Sequence, residues 1–135
     1  MKKMLLYFSC IICILLITSV FIASARDIDS INAEFLAQYG WKVMPKSIEY
    51  EKVTLPSRED EVYKNYNKLQ KEAGLDLSLH YSHKAERFTY IVLNYPYPTQ
   101  GQVRANVLCV NQKPIAGDIM TVASDGFMHS LKFPE

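Results

Sequence analysis

Residues 103–122 read Val103-Arg104-Ala105-Asn106-Val107-Leu108-Cys109-Val110-Asn111-Gln112-Lys113-Pro114-Ile115-Ala116-Gly117-Asp118-Ile119-Met120-Thr121-Val122. Two runs of branched and apolar residues flank a polar break at Asn111, Gln112 and Lys113, which predicts a β-hairpin. Its register depends on where the carboxylate of Asp118 can go. A three-residue turn over 111–113 puts Val103, Ala105, Val107 and Cys109 on one face with Ile115, Gly117, Ile119 and Thr121, and leaves Arg104 and Asn106 on the other with Asp118. A two-residue turn puts Asp118 among Ala105 and Val107, where a carboxylate without a partner loses several kcal/mol of solvation. The three-residue turn is therefore expected.

Outward from the hairpin, residues 86–94 carry aromatic and branched side chains on both faces, the pattern of a central strand covered on both sides. A loop over 95–102, with Pro96, Pro98 and Gly101, joins it to the hairpin. Ser124-Asp125-Gly126 is a turn signal, leaving 127–133 as a last short strand. Upstream, residues 41–44 and 48–55 alternate as strands do, separated by Pro45-Lys46-Ser47 and stopped by Pro56.

Two segments have helical periodicity. Residues 57–73 place Val62, Tyr63, Tyr66, Leu69 and Ala73 on one stripe, with Ser57 as the cap and Asp60 completing a capping box. Glu59, Asp60 and Glu61 lie at the positive end of the helix dipole, Lys68 and Lys71 toward the negative end, and Gly74 ends the run. A shorter helix over 33–39, capped by Asn32, puts Phe35, Leu36 and Tyr39 on one face before Gly40. Residues 75–83 read as irregular. The fold expected is α+β: a mostly antiparallel sheet of four to six strands with two helices packed on it, after an N-terminal hydrophobic leader.

That leader is residues 1–25. Lys2 and Lys3 precede a run, 4–25, without one charged side chain, so the amino terminus stays in the cytoplasm and the chain from Arg26 onward lies outside. The run is long enough for a spanning anchor, for which about 20 residues suffice. Ala23-Ser24-Ala25 also presents the small residues of a signal-peptidase site, so release after Ala25 stands equally open. Cys10 and Cys13 lie inside the apolar run, which excludes a lipidated cysteine closing it. Residues 26–31 read as a polar spacer and 32–135 as a single extracytoplasmic domain. With Lys2 and Lys3 set aside, 13 basic residues face 14 acidic ones, a balance that excludes a nucleic-acid surface. Cys109 is the sole cysteine outside the leader, so no disulfide forms within the domain and packing must hold it.

Several ordered blocks carry a family resemblance: Glu34-Phe35-Leu36, Tyr39-Gly40-Trp41-Lys42-Val43, Val62-Tyr63, Tyr66 to Gln70 with Lys71, Asn94-Tyr95-Pro96, residues 103–108, Gly117-Asp118-Ile119, and Asp125-Gly126-Phe127-Met128-His129. Together they resemble domain of unknown function 4830, a family of small secreted or anchored proteins of low-GC Gram-positive bacteria. Ala116 stands where that family commonly has glycine, a departure that bears on local backbone geometry alone. The resemblance implies location and domain identity and carries no catalytic residue with it.

Four constellations have the residue types of a site. His80 and His83 with His129 and Asp125 are zinc-type ligands, but a three-residue spacing in an irregular stretch fixes no common face; solvated histidines are the plainer reading, and no metal or cofactor is assigned. Cys109 with His129 has the types of a thiolate and its base, against the plainer reading of a core thiol alternating with Val107 and Ala105. Ser124, Asp125 and His129 contain triad types without a nucleophile turn or oxyanion hole. The polar face, Arg104 with Asn106 and Asp118, has the planar donors and paired acceptors to grip a peptide or carboxylated ligand, against the plainer reading of a surface ion pair worth about 0 to 1 kcal/mol. Tyr95 and Tyr97 offer rings for a glycan or a protein partner, or fold back to cap the sheet end.

The leading expectation is a noncatalytic binding or interaction domain, its ligand-binding residues Arg104, Asn106, Asp118, Tyr95 and Tyr97, its partner an envelope protein, peptide or glycan. Membrane contact runs through residues 4–25 where the leader is retained. The alternative is a small cell-envelope hydrolase using Cys109 or His129.

Overall fold

The computed structural model describes residues 1–4, 26–58 and 60–135. Five strands form one antiparallel sheet in chain order: β1 (Glu49–Thr54), β2 (Lys84–Ile91), β3 (Val103–Val110), β4 (Lys113–Thr121) and β5 (Met128–His129). Helix α1 (Ile28–Ala37) precedes the sheet, and α2 (Glu61–Glu72) with a 3-10 turn (Leu77–His80) lies between β1 and β2. The α+β expectation holds. The leader expected at residues 1–25 falls, from residue 5 onward, outside the described residues. Among the described residues no helix is long and apolar enough to cross a membrane.

Strand alternation sorts the core into two halves. Val103, Ala105, Val107 and Cys109 of β3 pack with Phe88, Tyr90, Ile119 and Leu131 beneath Leu36 of α1. Leu108 and Ala116 point the other way and pack with Leu55, Leu77, Ala85 and Ile115 beneath Tyr63 and Tyr66 of α2. The sheet therefore lies between the two helices. Among the described residues both halves are built entirely from positions between Ile28 and Phe133, so residues 26–135 carry the packing that holds the sheet and helices together.

The hairpin reaches the expected faces by a different route. Asn111 and Gln112 both take left-handed backbone, φ 50° and 61°, and Val110 pairs with Lys113, so the turn has two residues, not three. A bulge between Leu108 and Cys109 then adds one residue to β4, and from Leu108↔Ala116 to Val103↔Thr121 the register is the one a three-residue turn would have set. Asn106 pairs with Asp118, as the carboxylate argument requires. Ile115, at the bulge, leaves the side of Cys109 and joins Leu108 under α2.

Both helices start elsewhere than expected. α1 begins at Ile28, inside the stretch read as spacer, with extended Asp27 at its cap position; Asn32 is not a cap but lies within the helix, its side chain turned into the core. α2 begins after Asp60, whose carboxylate accepts from the backbone N–H of Tyr63, so Asp60 and not Ser57 is the cap. Its apolar stripe is also displaced. Val62 is 73% exposed, and the fully buried positions of α2 are Asn67 and Gln70. Asn67 accepts from Leu77 N and donates to Asp76, fixing the 3-10 turn against the helix; Gln70 Oε1 accepts from Gly117 N at 2.8 Å, on the margin of β4 that short β5 leaves unpaired. A buried amide does there what a sixth strand would do. The stretch 41–44 contributes a single bridge, Val43 to Val92, and the last strand shrinks from 127–133 to two residues.

Candidate functional site

The face of the sheet under α2 carries a hydrogen-bonded chain. Thr89 Oγ1 donates to Asn106 Oδ1 at 2.7 Å, Asn106 Nδ2 to Asp118 Oδ1 at 2.9 Å, and Tyr66 Oη to Asp118 Oδ2 at 2.7 Å. Asp118 is 2% exposed, so its carboxyl is raised from the usual value by burial, with the bonds from Tyr66 and Asn106 and the charge of Arg87 pulling the other way. The Tyr66 phenol is pushed well above its usual value by its own burial, then by the Asp118 charge. Each member answers the next, which is what keeps a buried polar group tolerable.

Beside this chain α2 leaves part of the sheet uncovered. A groove of about 590 Å³ runs between the helix and the strands, within the range of small-ligand sites. Val53, Leu55, Leu69, Leu108, Met120 and Met128 line it with apolar surface, and Arg87, Asn106, Asp118 and Tyr66 supply its polar groups. Arg87 gives Nη2 to Glu51 in an ion pair exposed on both sides.

The five expected ligand-binding residues do not form one site. Asn106 and Asp118 join as expected and border the groove. Arg104 shares their face but leans across β2, donating to Glu49 at 2.6 Å and to Gln102 at 3.2 Å, and makes no bond to Asp118. Tyr95 and Tyr97 belong to the opposite side of the sheet. Tyr95 packs against the core there, stacked with Trp41 at 6.0 Å and Phe127 at 5.2 Å, while Tyr97 meets it edge-on and donates to a main-chain oxygen of Glu135. The folded-back reading of these rings is the one that fits Tyr95.

Periodicity does not single out Arg87 and Tyr66. Arg87 sits in a strand that reads as covered on both sides, and Tyr66 in a stripe that reads as apolar packing. The one available signal is alternation: Arg87 and Thr89 fall on the same face of β2, a polar pair incompatible with a dry layer.

The other constellations are placed as follows. Cys109 is fully buried, donates to Asn32 Oδ1 at 3.2 Å, and burial pushes its thiol up to about 12. It ends a second buried chain, in which Asn32 Nδ2 donates to Tyr90 Oη and Tyr90 Oη to Asp29 Oδ1, each at 2.9 Å. His129 has Nδ1 at 2.7 Å from the Ser130 carbonyl and Nε2 at 3.3 Å from Tyr95 Oη, so its ring contacts Tyr95 and Phe127 and bonds neither Ser124 nor Asp125. His80 and His83 face each other at 6.2 Å, and burial, then His83, lowers the His80 imidazole. Among the described residues no group of three or more His, Cys, Asp or Glu side chains is placed to hold a metal ion.

No curated protein and no solved structure matches the chain. A family model does, over residues 35–119, from the last turn of α1 to Ile119 of β4, a span that includes α2 and the Asn106–Asp118 pair. The chain belongs to the family described as domain of unknown function 4830.

Proposed function

We propose that this protein is a noncatalytic binding domain of the cell envelope, displayed outside the membrane or released there, and that the groove between α2 and the sheet is its binding site. The observation that carries the proposal is an open apolar cleft beside a polar chain whose members already satisfy one another. Such a floor can orient a bound molecule but holds no free nucleophile or base. A hydrolase built on Cys109 or His129 finds less support: the thiol is held protonated in the core, and both ring nitrogens of His129 have partners. The envelope location rests on Lys2, Lys3 and the uncharged run after them.

The test is nuclear magnetic resonance on isotope-labelled residues 26–135 mixed with envelope extract. Amide shifts on α2, β3 and β4 are expected. Shifts confined to the surroundings of Tyr95 and His129 move the site to the other face, and an unchanged spectrum removes the binding reading. Protease added to intact protoplasts should digest an anchored domain, and protection would place it inside.

A further inference from the structure

We infer that the groove takes a single-chain aliphatic carboxylate, its hydrocarbon lying along the sheet and its carboxylate at Arg87. The inference rests on the groove being the binding site proposed above and adds the chemistry of what occupies it.

The floor is the first reason. It is the face of a sheet whose β2 and β3 backbone groups are committed to the strands on either side, and whose β4 groups go to β3, to short β5 or, at Gly117 N, to Gln70. An extended peptide laid across that face would find no main-chain partners for its own N–H and C=O groups, and leaving them dry is unfavourable. A hydrocarbon chain has none to satisfy. From Val53 on β1 to Met128 on β5 the lining crosses all five strands, about 19 Å at the usual strand spacing, a length suited to a linear molecule. Met120 and Met128 add side chains that adapt to chains of different length.

The second reason is charge. Asp118 already accepts one hydrogen bond on each oxygen, and Asn106 is engaged at both ends of its amide, so neither is the natural partner of an incoming head group. Arg87 is different. Of its five N–H donors, the one bond formed among the described residues goes through Nη2 to Glu51, and that pair is 45% and 55% exposed, a contact readily exchanged. A ligand carboxylate can dock on the guanidinium fork with paired hydrogen bonds, which neither an alcohol nor an amine reproduces. Glu51 competes with it for the same group.

The experiment titrates residues 26–135 with decanoate, dodecanoate and tetradecanoate below their micellar concentrations, beside the matched alcohols and alkylamines. Carboxylates should bind tighter than alcohols, and each added CH₂ should tighten binding by up to about fourfold. Arg87→Gln should weaken the carboxylates about tenfold, Glu51→Gln should strengthen them, and neither should move the alcohols. Val62→Glu, at an exposed position on the groove wall and so compatible with folding, should weaken every chain. Equal affinity for carboxylate and alcohol, indifference to Arg87→Gln, or no binding of any chain overturns the inference. If envelope extract still shifts the groove amides while these chains do not, the binding site stands and the ligand class falls.

Discussion

Asn106 and Asp118 stand opposite each other on β3 and β4, and the amide of one donates to the carboxylate of the other at 2.9 Å in a place almost closed to water. With Tyr66 on the second oxygen, the pair ties the hairpin to α2 and sets the border of the groove.

Burial raises the Asp118 carboxyl, so the folded chain holds this proton more tightly than the unfolded chain does. The stability it contributes is therefore complete below the ordinary value of 3.8 and is lost as pH rises through the raised folded-state value. Wild type should lose ground to Asp118→Asn across that window. Urea midpoints of the two proteins, measured from about pH 3 to about pH 8, check it; a constant difference would mean that the carboxyl titrates as it does unfolded.

Gly117 has ordinary backbone, and what requires glycine there is proximity. A Cβ would stand 2.6 Å from the carbonyl oxygen of Asn106 and 3.0 Å from Leu131 Cδ1. Gly117→Ala should destabilise the fold by about 1 to 3 kcal/mol, because backbone oxygen cannot move aside cheaply. Thermal unfolding measures it, and an unchanged melting temperature would show that the strands separate freely.

Asp60 caps α2, and Ser57 has no part in it. Asp60→Ala should cost about 0.5 to 2 kcal/mol and Ser57→Ala close to nothing. Reversed effects in denaturant titrations would return the cap to Ser57.

The Cys109 thiol is fully buried and held protonated by a value of about 12. A disulfide reagent at mildly alkaline pH should leave the native protein unlabelled and react only as fast as the fold opens. Labelling that outpaces unfolding would put the sulfur at the surface.

The sheet, both helices and the facing of Asn106 with Asp118 are legible in the sequence because they depend on local periodicity and on the cost of a lone buried carboxylate. The length of the turn is not, for an instructive reason. Two left-handed residues followed by a bulge give the same faces as one longer turn from Ala116 onward, and alternation over that stretch cannot separate the two. Asn32, Asn67 and Gln70 are illegible as core residues because a polar side chain is admitted to the interior by partners distant in the chain: Tyr90, Leu77 and Gly117. Gln70 Nε2 has no partner among the described residues, and nothing in the structure accounts for it.

Sequence by itself determined the α+β class, the order of the elements and the neutral balance of charge, since each depends on spacing and composition alone. Tertiary structure decided that Arg104 turns to Glu49 while Arg87 borders the groove, and that Tyr95 lies on the far side of the sheet. The physical reason is that a side chain's chemistry is set by the groups packed around it, and those are assembled only when β1, β2 and α2 meet.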